Sequence, residues 1–162
     1  MVRRQEKVVG EPLDYLKPVI AHTPGLVLKL GLLGPLGSHR HALPPAAKHV
    51  AVVRATLRED CGACAQMAVN LAKAEGVADD LLRAVVYNRL EELPPGLADI
   101  CRWVDELQAG GDPAGLRESL RAHYGEAGLI ELSLAFSLAA FFPRFKKGLG
   151  AATTCALHPV RI

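Results

Sequence analysis

Aromatic residues are scarce in this 162-residue chain, at 5%. A dominant charge is missing too: 19 Lys and Arg stand against 17 Asp and Glu, for a net charge of +2. A nucleic-acid surface needs clustered basic residues interleaved with stacking aromatics, so neither absence favours one, and no nucleic-acid partner is expected. Alternation of apolar and polar residues with period two is nearly lacking, which argues against a sheet. The greasiest stretch, "GLVLKLGLLGPLG" at 25–37, contains Lys29, Pro35 and four glycines. It falls short of the roughly 20 apolar residues a bilayer needs, so no membrane span is expected. The start, "MVRRQEKVVGEPLDYL", lacks the apolar block and cleavage site of a secretory signal. The expected compartment is therefore the cytoplasm, where thiols stay reduced and a close Cys pair is catalytic or metal-binding more often than a static staple.

What the chain does have is Ala, Leu and Val, with 50% hydrophobic residues. That composition favours helices, and the length suits one domain over 1–162. Short helices are predicted near 15–21 and 25–33, and "LGSHRHALPP" reads as a loop. Pro44 and Pro45 suit a helix start. Apolar residues at 46, 50, 53 and 57 then give a helical period, with Val50, Val53 and Leu57 facing the core. Asp60 is the predicted N-cap of a helix over 61–75, closed by Gly76. Further helices are predicted from Asp79 or Asp80 to about Leu90, over 97–107, over 116–123 and over 131–142. Gly125 reads as a turn, and Pro143 as a kink or a stop. The fold class is all-α, with about six to eight helices.

Cys61 and Cys64 form a CxxC at the start of the 61–75 helix. At i and i+3 both sulfurs share one helix face, near unpaired N–H groups and the positive end of the dipole. That setting lowers thiol pKa values, and the thiolate is the nucleophile. Glu59 and Asp60 oppose the effect by charge. Three readings stay open here: a redox pair, half of a metal site, or two small core residues. Metal binding lacks two further ligands, because Cys101 and Cys155 are isolated and the His39 and His41 pair does not align with the thiols. No metal and no cofactor are expected. Cys101, beside Trp103, reads as core packing, and Cys155 as a surface or subunit-contact thiol. Lys146 and Lys147 fit the negative end of a helix dipole.

"LPPAAKHVAVVRATLREDCGACAQMAVNLAKAEGV" resembles the core of the alkylhydroperoxidase D / carboxymuconolactone decarboxylase family, in its CxxC-containing branch. "ELSLAFSLAAFFPRFKKGLGA" is similar to that family's second helix. The resemblance implies a helical bundle that assembles as a homo-oligomer, a trimer or hexamer, with residues 1–42 as an extension on the core or on a neighbouring subunit. It implies a thiol oxidoreductase that reduces small peroxides or disulfides. Cys64 would attack the peroxide oxygen and Cys61 would resolve the sulfenic acid as a disulfide. A dithiol donor, such as a lipoyl- or thioredoxin-like protein, would reduce the pair again. The family's proton relay of one Glu and two His maps onto His49, Ala63 and Ala68, so both relay histidines are replaced. His49 becomes the candidate base, provided the chain turns back at "EDCG" or a neighbouring subunit supplies it. Glu59 is a second candidate relay, with solvation as its ordinary alternative. Gln66 and Asn70 are candidates to orient water, and Glu131 to cap or to act in chemistry. A second function, from another class, is a non-enzymatic or redox-sensing helical oligomer in which the relay has been lost. A third keeps the fold but uses His49 as base on another substrate, with the cysteines as bystanders.

Overall fold

The computed structural model describes Glu6, Gly10 and residues 13–151 and 160–162. Cys155 lies outside the described residues. Among those described, all regular structure is helical. Three short helices come first: α1 (Leu16–His22), α2 (Pro24–Leu30) and α3 (Leu33–Ser38). The predicted loop over 36–45 therefore starts later than expected. Ser38 closes the last turn of α3 by donating its hydroxyl to the Pro35 carbonyl at 2.9 Å.

The central element is α4 (Pro45–Arg58), with Pro45 in its first turn. It packs against α5 (Gly62–Ala74), α6 (Asp79–Val86), α7 (Pro95–Gln108) and α8 (Ala114–Gly148). A helix with neighbours on every side must be apolar or internally paired all round. Accordingly Val50, Ala51, Val53 and Ala55 are fully buried, and Leu57 packs at the core's edge. Cys101 and Trp103 of α7 join the same core, as the sequence predicts for Cys101.

Several boundaries differ from expectation. The N-cap of α5 is Cys61, not Asp60. Asp60 instead takes φ 51, in the left-handed region that Asp tolerates better than most side chains. There it ends α4 and turns the chain back into α5. The helix after Asp79 stops at Val86 rather than near Leu90, because Asn88 is also left-handed, at φ 57. Gly125 breaks the α8 run at φ 72 and ψ 176, a region essentially reserved for glycine. Pro143 does not end α8, and it is not among the residues of that run with non-helical φ/ψ. It is fully buried, and the helix continues to Gly148. Tertiary packing here outweighs the lost N–H and the steric cost of an interior proline. By length and mean hydropathy α8 could cross a membrane, and its Leu120 and Leu132 lie in the main core.

A charge cluster built around the buried Arg54 links α4 to α7. Arg54, 4% exposed, donates to both carboxylate oxygens of Asp105, at 2.7 and 2.5 Å, and to Asn88 Oδ1 at 2.7 Å. Arg58 adds two bonds of 2.7 Å to the same carboxylate. Burial pushes the Asp105 carboxyl up. The Arg58 and Arg54 guanidiniums more than offset that and hold it below the usual carboxylate range.

Asp105→Asn strands the Arg54 charge, so we expect a loss of about 3 kcal/mol in urea unfolding at pH 7. Because the folded pKa lies below the unfolded one, this contribution is complete above the unfolded value of about 3.9 and fades as pH falls through the folded value. The variant's stability curve lacks that part of the acid decline. A variant as stable as wild type at both pH 7 and pH 3 refutes the assignment.

Candidate functional site

The left-handed turn at Asp60 places Cys61 at the N-cap of α5 and Cys64 in its first turn. Cys61 and Cys64 are not joined in a disulfide. Cys61 is sealed, at 1% exposure. Cys64, at 6%, forms part of the wall of a cavity of about 570 Å³. Helices α1–α3 roof this cavity, and α4, α5 and α8 floor it. The lining is mainly aliphatic, with Leu13, Leu16, Leu30, Val52, Leu71 and Leu138 prominent.

A lysine faces the thiol. Lys146, 4% exposed on the last turns of α8, donates from Nζ to Cys64 Sγ at 3.4 Å. Its ammonium also lies 4.8 Å from the centroid of the Tyr15 ring, within cation–π range. Tyr15 is held in turn by edge contacts to Phe142 and Phe145. A cation beside a thiol favours the thiolate. The Cys61 thiol is pushed up, first because it donates its proton to Cys64 and then by burial. The pair is thus asymmetric: Cys61 keeps a proton shared with Cys64, and Cys64 receives both that proton and an ammonium. Burial, and then the two sulfurs, push the Tyr15 hydroxyl up to about 12, so it remains a neutral phenol. Cys101 stands apart, and burial in the core pushes its thiol up to about 12.

The other predicted residues are placed differently. His49 is 5% exposed and borders the same cavity, on the side of Glu75, with Nε2 3.2 Å from Glu75 Oε2. Cys64 and Glu75 lie at opposite ends of α5, about 16 Å apart at ~1.5 Å per residue. The turn at Asp60 therefore brings His49 to the cavity but not to the sulfur. Burial lowers the His49 pKa, and the Glu75 carboxylate only partly counters it.

Glu59 is buried, not solvated, and it is not part of the cavity wall. Its carboxylate accepts two bonds from Arg144, at 2.7 and 3.0 Å, and one from Gln108 at 3.2 Å. Its carbonyl oxygen accepts the Lys147 ammonium. Glu59 therefore ties the α4–α5 turn to the end of α8, one residue on each side of Lys146.

Glu131 does not cap a helix; it pins the loop that precedes α4. Its two oxygens accept the N–H groups of His41, Ala42 and Leu43 at 2.6 to 3.1 Å. Burial pushes its carboxyl up, and the three N–H donors with His39 more than reverse that. Gln66 pairs with Asn70 and with the Arg161 backbone. His39 and His41 stack edge to face at 4.7 Å. Among the described residues no group of three or more His, Cys, Asp or Glu could hold a metal ion.

Compared with protein-family models, with curated proteins and with solved structures, the chain matches none.

Lys146→Met removes the ammonium that donates to Cys64. We expect alkylation of Cys64 by iodoacetamide at pH 7 to slow about tenfold, the scale of one charge-assisted hydrogen bond. Arg83→Met, which removes an exposed cation of α6 paired with Asp80, serves as the control. Equal rates in Lys146→Met and wild type would show that the ammonium does not activate the thiol.

Proposed function

We propose that the protein is a thiol-dependent oxidoreductase of the alkylhydroperoxidase D-like kind, reducing peroxides or disulfides through Cys61 and Cys64. The observation that carries this reading is the Lys146 ammonium, 3.4 Å from Cys64 Sγ at the wall of a cavity. The Cys64 thiolate attacks the terminal peroxide oxygen and the O–O bond breaks. The leaving alkoxide takes a proton from Lys146 and departs as the alcohol, and Cys64 becomes a sulfenic acid. Cys61 then attacks the sulfenic sulfur, and its proton leaves with the hydroxyl as water. A dithiol donor of the lipoyl or thioredoxin kind reduces the resulting disulfide by exchange. Its two protons return one to Cys61 and one to Lys146, and the cycle closes. Lys146 thus takes the place of the relay that Ala63 and Ala68 cannot provide. Such a cycle calls for a reducing compartment such as the cytoplasm. Assembly into a homo-oligomer is supported by Leu28 and Leu32, exposed at 70% and 69%.

The near-complete burial of both thiols supports a second reading, a redox-sensing oligomer in which the disulfide forms without turnover.

With cumene hydroperoxide, mass spectrometry should find a Cys61–Cys64 disulfide within minutes. In Cys61→Ser a sulfenic acid on Cys64 should be trapped by dimedone, and Cys64→Ser should form neither. Consumption of many equivalents of peroxide in the presence of dihydrolipoamide separates an enzyme from a sensor, which would stop near one. Thiols that stay reduced through the peroxide treatment would defeat both readings.

A further inference from the structure

The end of the cavity away from Cys64 carries a second, separate set of polar side chains. Lys48 and His49 of α4 are each 5% exposed, and both line the cavity. Among the described residues the Lys48 ammonium has no hydrogen bond or close ion pair, and Glu75 and Glu131 act on it only through their charge. Neither ring nitrogen of His49 makes a well-aligned hydrogen bond, despite the 3.2 Å approach of Glu75. The buried ring nitrogens of His49 lack a hydrogen-bond partner, and beside them the Lys48 side chain lines an apolar cavity, so an anion entering it would find donors there. The neighbouring acids are already engaged. Glu75 faces His49 and stands 3.9 Å from Arg40, and the oxygens of Glu131 are taken by three backbone N–H groups.

We propose that this cavity binds an aliphatic monocarboxylate, with its head group on Lys48 and His49 and its chain running along α5 toward Cys64. A single negative charge fits, because Glu75 and Glu131 would repel a dianion. An aliphatic tail fits the walls of Leu16, Leu30, Val52, Leu71 and Leu138. The cavity volume of about 570 Å³ falls within the range of small-molecule sites. The length of α5 from Glu75 to Cys64, about 16 Å, suits a medium-length chain such as dodecanoate. This site goes beyond the thiol chemistry and does not depend on it.

Isothermal titration of the full chain with dodecanoate, and separately with dodecanol, tests the assignment. One dodecanoate should bind per chain, about tenfold more tightly than dodecanol, the scale of one charge-assisted hydrogen bond. In Lys48→Met the preference for the acid should disappear while dodecanol still binds, which also shows that the variant is folded. Bound dodecanoate should slow alkylation of Cys64, because the chain covers the cavity wall. No saturable binding of dodecanoate, or equal affinity for acid and alcohol in the wild type, would overturn the assignment. So would a Lys48→Met protein that keeps the wild-type preference. The peroxide experiment on Cys61 and Cys64 reads a different event, so either result can fail without the other.

Discussion

The tie between Glu59 and the end of α8 governs the geometry of the site. Asp60 must turn left-handed for α5 to fold back along α4, and the residue before it is the fastening point. Arg144 and Lys147 both reach Glu59, one to its carboxylate and one to its carbonyl oxygen. Lys146 lies between them in the chain and lines the cavity. An ion pair at Arg144 and an ion–dipole bond at Lys147 therefore flank the lysine that meets Cys64. A buried ammonium would otherwise have a strong incentive to reach water.

The same arrangement explains why the two cysteines differ although they share a helix face. Cys61 at the N-cap is enclosed and holds a proton directed at its partner. Cys64, one turn on, meets the cavity and the ammonium. Burial alone would keep both thiols protonated. A cation on one of them makes their roles unequal, and that inequality separates an attacking sulfur from a resolving one.

Much of the helical framework was legible in the residues. Pro45, the Val50 and Val53 period and Gly125 each mark a local rule that the structure obeys. The failures lie where tertiary contacts override local preference. Asp60 has the chemistry of an N-cap, but the turn needed a residue that tolerates positive φ, and Cys61 took the cap. Pro143 reads as a kink or a stop, and the helix runs on past it to Gly148. The site was half legible. CxxC marks the sulfurs by spacing, whereas Lys146 reads locally as a dipole partner at a helix end. A signal was nonetheless present: Leu132, Ala135, Ala139, Pro143 and Lys146 recur at three- and four-residue steps, so the lysine ends an apolar stripe. Glu59 was misread because an isolated acid is usually solvated, and its partners Gln108 and Arg144 lie far along the chain.

The roof and the main body form separate apolar clusters. Leu13, Tyr15 and Leu16 gather with Met67, Phe142 and Phe145, apart from the large cluster built on α4 and α7. The linker between the two is pinned by Glu131 at residues 41–43. Lifting α1–α3 would therefore break a small set of aromatic and aliphatic contacts and leave the larger core whole. The free energy of admitting a guest to the interior is set by that small cluster rather than by global unfolding.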